Sequence, residues 1–187
     1  MAALIVLGIL AVLVLWAVIQ YNGLVTLRNQ VTNGWKQIDV QLKRRHDLIP
    51  NLVNTVKGMM EFEQETLQKV IAARSAAMGA RGAKDAAAKE GALTDALSKF
   101  FVVVEQYPQL RSSENVSQLQ EELTSTENKI TFARQFYNDI ATSFNTAQQV
   151  FPANLIAGAF GFQPAELFEI TVAAEREVPN VDLSLKK

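Results

Sequence analysis

The chain opens with a stretch that has no polar rhythm. From Ala2 to Tyr21 it reads AALIVLGILAVLVLWAVIQY, and no charged side chain precedes Arg28. About 20 apolar residues at ~1.5 Å of rise each cross a ~30 Å hydrocarbon core, with Trp16 and Tyr21 marking one interface. The pattern predicts a transmembrane helix over residues 1–22. A cleaved signal peptide is the competing reading. It lacks a basic leading segment, and AVIQYNG is a poor small-residue cleavage site.

Past Asn22 and Gly23 the rhythm becomes helical. Leu24, Val31, Trp35, Ile38, Leu42 and Ile49 recur in steps of three and four, with Arg28 and Arg45 at the two remaining seam positions. The stripe passes Pro50 in phase through Leu52, Val56 and Met59, then loosens through Leu67 and Val70. Preserved phase favours one kinked helix. Asp47, a plausible N-cap with Pro50 in the turn after it, supports the alternative of a helix that restarts here. From Ala72 to Ala92 alanines are interrupted by Gly79, Gly82 and Gly91, which predicts a frayed helix end and loop. A short third helix is expected from Leu93 to about Gln106, before Tyr107 and Pro108.

The fourth segment has the most regular pattern. Val116, Leu119, Leu123, Thr126, Ile130, Ala133, Tyr137, Ile140, Phe144, Ala147 and Phe151 alternate steps of three and four without a slip. They predict a rod of roughly 50 Å, capped by Ser113 and stopped by Pro152. Two long stripes of this kind cover each other. The fold class expected is all-α: a transmembrane helix (1–22), an antiparallel long-helix bundle (23–152) and an apolar, glycine-containing loop, short helix and irregular tail (153–187). Phe160, Phe162, Leu167 and Phe168 of the tail need cover. Packing over the bundle end is the plainer reading, and a contact surface for a neighbouring subunit or for lipid is the sharper one.

Composition narrows the chemistry. In 187 residues there are 18 basic and 19 acidic side chains, a balance that lacks the basic footprint of a nucleic-acid binder. Without cysteine there are no disulfides, thiolate metal sites or cysteine nucleophiles. The single histidine, His46, stands at the expected helix junction in KRRHDLIPNLVNTV, where solvation or capping is the default role, and no nucleophile motif accompanies it. There is no Glu-x-x-His pair for a di-metal bundle and no phosphate-binding glycine loop. Glu61, Glu63 and Glu65 form a charge run in which only Glu61 and Glu65 share a face. No catalytic, cofactor or metal site is expected.

Lys43, Arg44 and Arg45 stand about 30 Å along a straight helix from the span, too far for direct attraction to lipid headgroups across a Debye length of ~8 Å. An internal partner fits better. Glu121, Glu122 and Glu127 offer acceptors where the fourth stripe is locally polar at Thr126, so Arg44 or Arg45 is expected to pair there and fix helix register. On which side the domain lies is weakly coded. Arg28 and Lys36 follow the span closely and place it in the cytoplasm by the positive-inside rule.

The stretches YNGLVTLRNQV, QIDVQLKRRHDLIPNLVNTVKG, LQEELTSTENKITFARQFYND, FPANLIAGAFGF and ELFEI, in this order behind an apolar anchor, resemble the LemA family of bacterial membrane proteins. The resemblance implies a four-helix, bromodomain-like bundle on one N-terminal helix and no established enzymatic activity. It marks Arg44, Arg45, Asp47, Pro50, Asn51, Glu121, Glu127, Asn128, Arg134, Asn138, Phe151 and Pro152 as a structural signature. Family members that look like lipoproteins would carry their domains outside the cytoplasm, which keeps a periplasmic or extracellular placement open. The expected function is a non-enzymatic scaffold in the bacterial inner membrane, bound to the lipid bilayer and self-associating. The alternative is a monomeric adaptor for another membrane protein, such as a protease, transporter or sensor.

Overall fold

In a computed structural model of the protein, which describes residues 1–58 and 63–169, every regular element is helical. The order is α1 (Ala2–Lys57), α2 (Gln64–Met78), α3 (Gly82–Val104), α4 (Pro108–Arg111), α5 (Glu114–Gln149) and α6 (Ala153–Ala159). Expectations that fall on Met59, Glu61 and the chain after Glu169 lie outside the described residues.

Helix α1 runs unbroken for 56 residues with Pro50 inside it. The restart at Asp47 is thereby overturned. Proline removes one backbone hydrogen bond, but Ile49, Leu52, Val53 and Val56 are buried on one stripe around it, and this packing carries the helix through. Before Leu24 no residue of α1 is buried, and Leu4 to Ile19 present their side chains outward. This segment is long and apolar enough to cross a membrane and fits a single-pass anchor.

Cross-contacts set the direction of the other helices. Gly34 faces Tyr137, Arg45 reaches Glu127 and Arg44 reaches Glu122, so α5 descends as α1 rises. Arg74 of α2 and Glu90 of α3 both meet His46. Since Gly79 to Arg81 join α2 to α3 in a tight turn, these two form a hairpin beside α1.

The alanine-rich stretch departs from expectation. It is helical from Gly82, not frayed, and α3 ends at Val104. Alanine is the strongest helix former, and its small side chain lets α3 approach closely, with Ala83, Ala86 and Ala87 all buried. Gly82 itself has φ +79°, which a side chain rarely adopts, and so marks the true break. Asp85 secures the start by accepting from the Arg81 backbone N–H and from Lys89, both at 2.8 Å, and these contacts lower its pKa. At α5 the Ser113 hydroxyl makes no capping bond. Phe151, in phase with the α5 stripe, lies beyond the helix and is 76% exposed.

The core has two apolar parts. One holds Ile49, Leu52, Val56, Val70, Leu93 and Phe100; the other holds Ile38, Leu42, Ala87, Ile130, Tyr137 and Phe168. Residues 45 and 46 of α1, 90 of α3 and 126 of α5 fall between the two in sequence on each helix, and they are the buried polar residues Arg45, His46, Glu90 and Thr126. A polar layer therefore separates two hydrophobic ones. As expected, the short helix of the tail packs over one end of the bundle, with α6 against α1 and α5, and the chain after it runs back along the bundle side. Phe168 is 2% exposed beside Trp35, whereas Phe160 is 62% exposed and Phe162 and Leu167 are half-buried.

Candidate functional site

Among the described residues, the polar layer is the one place where charge is brought deep inside. The Arg45 side chain is 3% exposed. Its guanidinium lies 2.8 Å from a Glu127 carboxylate oxygen and 3.6 Å from Glu90 Oε2, and it donates to Thr94 Oγ1 at 2.8 Å. Glu90 Oε1 is 2.7 Å from His46 Nε2. Arg74 Nε donates to the His46 carbonyl at 2.7 Å, and Thr126 donates to the Glu122 carbonyl at 2.7 Å. One oxygen, Glu90 Oε2, has no hydrogen-bond partner and is held only by the charge of Arg45.

The expected pairing of Arg44 or Arg45 with the acidic stretch of α5 is present in both forms. Arg45–Glu127 is close and largely enclosed; Arg44–Glu122 spans 3.6 Å with both side chains 52% exposed. His46 is a correction. It is buried and paired, neither solvated nor capping. The sequence reading missed its partner because Glu90 was assigned to a loop, and helical Glu90 lies one turn from Ala86 and Ala87 on the buried face of α3.

Chemically, a histidine–glutamate pair beside an arginine is a familiar acid–base set, but this one lacks access. The hollow next to Arg45, Thr94 and Glu127 measures ≈ 190 Å³, smaller than the ~300 Å³ at which small-molecule pockets begin, and His46 does not line it. Among the described residues no three His, Asp or Glu side chains converge to hold a metal. The layer suits registration of three helices: Arg45 from α1 bridges Glu90 of α3 and Glu127 of α5.

A second constellation lies lower on α5. Asn138 accepts from the Phe168 N–H at 2.8 Å and donates to its carbonyl at 3.1 Å. Asn145 does the same to Ala165, at 2.7 and 2.9 Å. Tyr137 donates to the Glu166 carbonyl at 2.7 Å. Two helical turns cover ~10 Å, close to the rise of three extended residues, so the asparagines match the spacing of the two tail residues they hold. Burial pushes the Tyr137 phenol above its ordinary pKa, helped by the nearby Glu166 carboxylate. Arg134 stacks 4.7 Å from the Phe168 ring centroid.

The signature residues thus divide. Arg45 and Glu127 serve the polar layer, Arg134 and Asn138 hold the tail, and Pro50 and Pro152 are half-buried at the helix interior and at the start of α6. Arg44, Asp47, Asn51, Glu121, Asn128 and Phe151 are exposed. Glu90, Thr94, Arg74, Tyr137 and Asn145 were not singled out from sequence as site residues. The asparagines at 138 and 145, one heptad apart beside the stripe, were the available signal.

Both constellations fall within the part of the chain that matches a known family. The sequence profile of the LemA family matches residues 34–183. Protein LemA of Metamycoplasma hominis is 28% identical, over 87% of this chain and 72% of its own length. Magnetosome protein MamQ 2 of Paramagnetospirillum magneticum is 24% identical, over 94% and 75%. Magnetosome protein MamQ of Magnetospirillum gryphiswaldense is 22% identical, over 85% and 68%.

Proposed function

The chain belongs to the LemA family, and from this premise we propose that it is a non-enzymatic, single-pass membrane protein that self-associates and organises the bilayer as a scaffold. The division we adopt is an anchor over 1–22, a four-helix, bromodomain-like bundle over 23–152, and a tail over 153–187. The observation that carries the reading is the continuity of α1. One helix leads from the apolar span into the core, so force or spacing imposed on the domain is transmitted to the membrane without an intervening loop. The closed polar layer supports it, since its charges are spent on one another.

A lateral face is available for association. Val40, Phe132 and Phe136 are 63%, 70% and 47% exposed, with Lys36 and Lys129 beside them. Anchored copies share one orientation and meet side by side, which brings such faces together. The positive-inside rule favours a cytoplasmic domain on the bacterial inner membrane. Relatives named as magnetosome proteins are consistent with a membrane-organising role.

Native mass in mild detergent tests this. The full chain should form a discrete oligomer, and a chain beginning at Leu24 should lose it or weaken it. A monomer in both cases would sink self-association and favour the adaptor reading.

A further inference from the structure

Twenty-six consecutive residues, 140–165, carry no charge. They include the end of α5, all of α6 and the turn into the tail. This segment is folded back against the membrane-proximal part of α1. Tyr21 meets Phe160 at 4.8 Å and Phe162 at 5.9 Å between ring centroids, and the Arg28 guanidinium sits 5.4 Å from the Phe162 ring. Tyr21 closes the apolar span, and Arg28, the first charged side chain, stands two turns or ~10 Å further along. Phe160 is therefore level with the end of the span and below Arg28.

The chain that leads to it is at the same height. Phe144 contacts Phe162 at 6.3 Å, which puts Phe144 near the level of Arg28, and α5 descends from there through Gln149. At this end Val150, Phe151, Leu155 and Phe160 are 52%, 76%, 60% and 62% exposed. Four large apolar side chains facing outward without a charge among them do not suit water. They suit the boundary between headgroups and acyl chains, where aromatic and aliphatic residues beside a span are stable.

We propose that this end of the domain is embedded in the lipid interface, a second membrane contact beside the α1 span that fixes the tilt and rotation of the bundle. Arg28 marks its upper limit, stacked on Phe162 with its charge at headgroup level. A second copy is the competing occupant. Lipid is favoured because the patch lies level with the end of the span, where the bilayer boundary itself must run. The inference rests on α1 being a span and is independent of self-association.

The absence of cysteine permits a direct test on the full chain. Leu155→Cys and Phe160→Cys, each carrying an environment-sensitive fluorophore, are reconstituted in phosphatidylcholine–phosphatidylglycerol vesicles. Val12→Cys reports the span and Ser125→Cys the distal bundle. Lipids spin-labelled near the headgroup should quench 155 and 160 several-fold more than 125, with 12 responding to deeper labels. Quenching at 12 alone would overturn the proposal. So would protection at 155 and 160 that ignores lipid quenchers and fades as protein is diluted in lipid, the mark of a second copy. Failure at 12 would remove the span and the proposal together, leaving any oligomer seen in detergent untouched.

Discussion

The two constellations on α5 hold their partners by different means. In the polar layer, Glu127 and Glu90 recognise side chains, Arg45 and His46, and every member depends on the identity of the others. Two turns and more below, Asn138, Asn145 and Tyr137 recognise only backbone atoms of Ala165, Glu166 and Phe168. The first arrangement fixes register among three helices. The second holds an extended segment whose own side chains are free to vary, apart from the buried ring of Phe168. A substitution in the layer strands a charge, and one in the clamp frees a segment.

The largest effect should come from Glu90→Ala. It leaves Arg45 and His46 enclosed with a partner missing, and breaking a buried ion network in this way costs ~3–5 kcal/mol. Denaturant unfolding of the full chain in detergent should show that loss across the whole helical signal. Glu90→Leu combined with Arg45→Met, which removes charge on both sides, should recover much of it. If Glu90→Ala melted like the parent chain, the layer would not be a structural register.

Asn138→Ala should cost less and act locally. The Phe168 N–H and carbonyl lose their partners together, a change of roughly 1–3 kcal/mol. Since the tail can leave without unfolding the helices, amide exchange should accelerate from Ala165 to Phe168 while α1, α3 and α5 keep their protection. Uniform acceleration through the helices would show that tail and bundle unfold as one unit.

Tyr137→Phe removes one hydrogen bond, about 1 kcal/mol at neutral pH. Its pH signature is the sharper readout. The folded phenol has a raised pKa, so the stability tied to its neutral form is complete below the unfolded value of about 10 and is lost as pH climbs from there through the folded value. The parent chain should lose stability across that alkaline window, and Tyr137→Phe should lose less. Equal slopes would dissociate the phenol from tail docking.

Periodicity made the long elements legible. The stripes of α1 and α5, their antiparallel pairing and the Arg45–Glu127 contact all follow from residues that recur on one face. What stayed hidden was non-periodic or depended on it. Alanines and glycines at 79–92 carry little hydrophobic signal, so α3 lost its first half in the sequence reading, and with it Glu90 as a partner for His46. Phe151 kept phase with α5, yet the helix stops at Gln149 before reaching it. The asparagine clamp joins side chains to a backbone 20–30 residues away, and the heptad spacing of Asn138 and Asn145 marks a polar stripe without naming what it holds.

The smallest effect separates two adjacent cations. Arg44 and Arg45 are neighbours in sequence and both face acids of α5, yet Arg44–Glu122 is a half-exposed pair at 3.6 Å while Arg45 is enclosed. Exposed pairs contribute ~0–1 kcal/mol because water screens them and both side chains lose freedom in forming them. Arg44→Ala should therefore shift the unfolding midpoint barely, and raising salt to about 1 M, where the Debye length falls to ~3 Å, should erase even that shift. Arg45→Ala strands Glu90 and should keep most of its cost at the same salt concentration. A comparable, salt-insensitive loss from both would mean that burial does not distinguish them, and the layer would have to extend to the surface of α1.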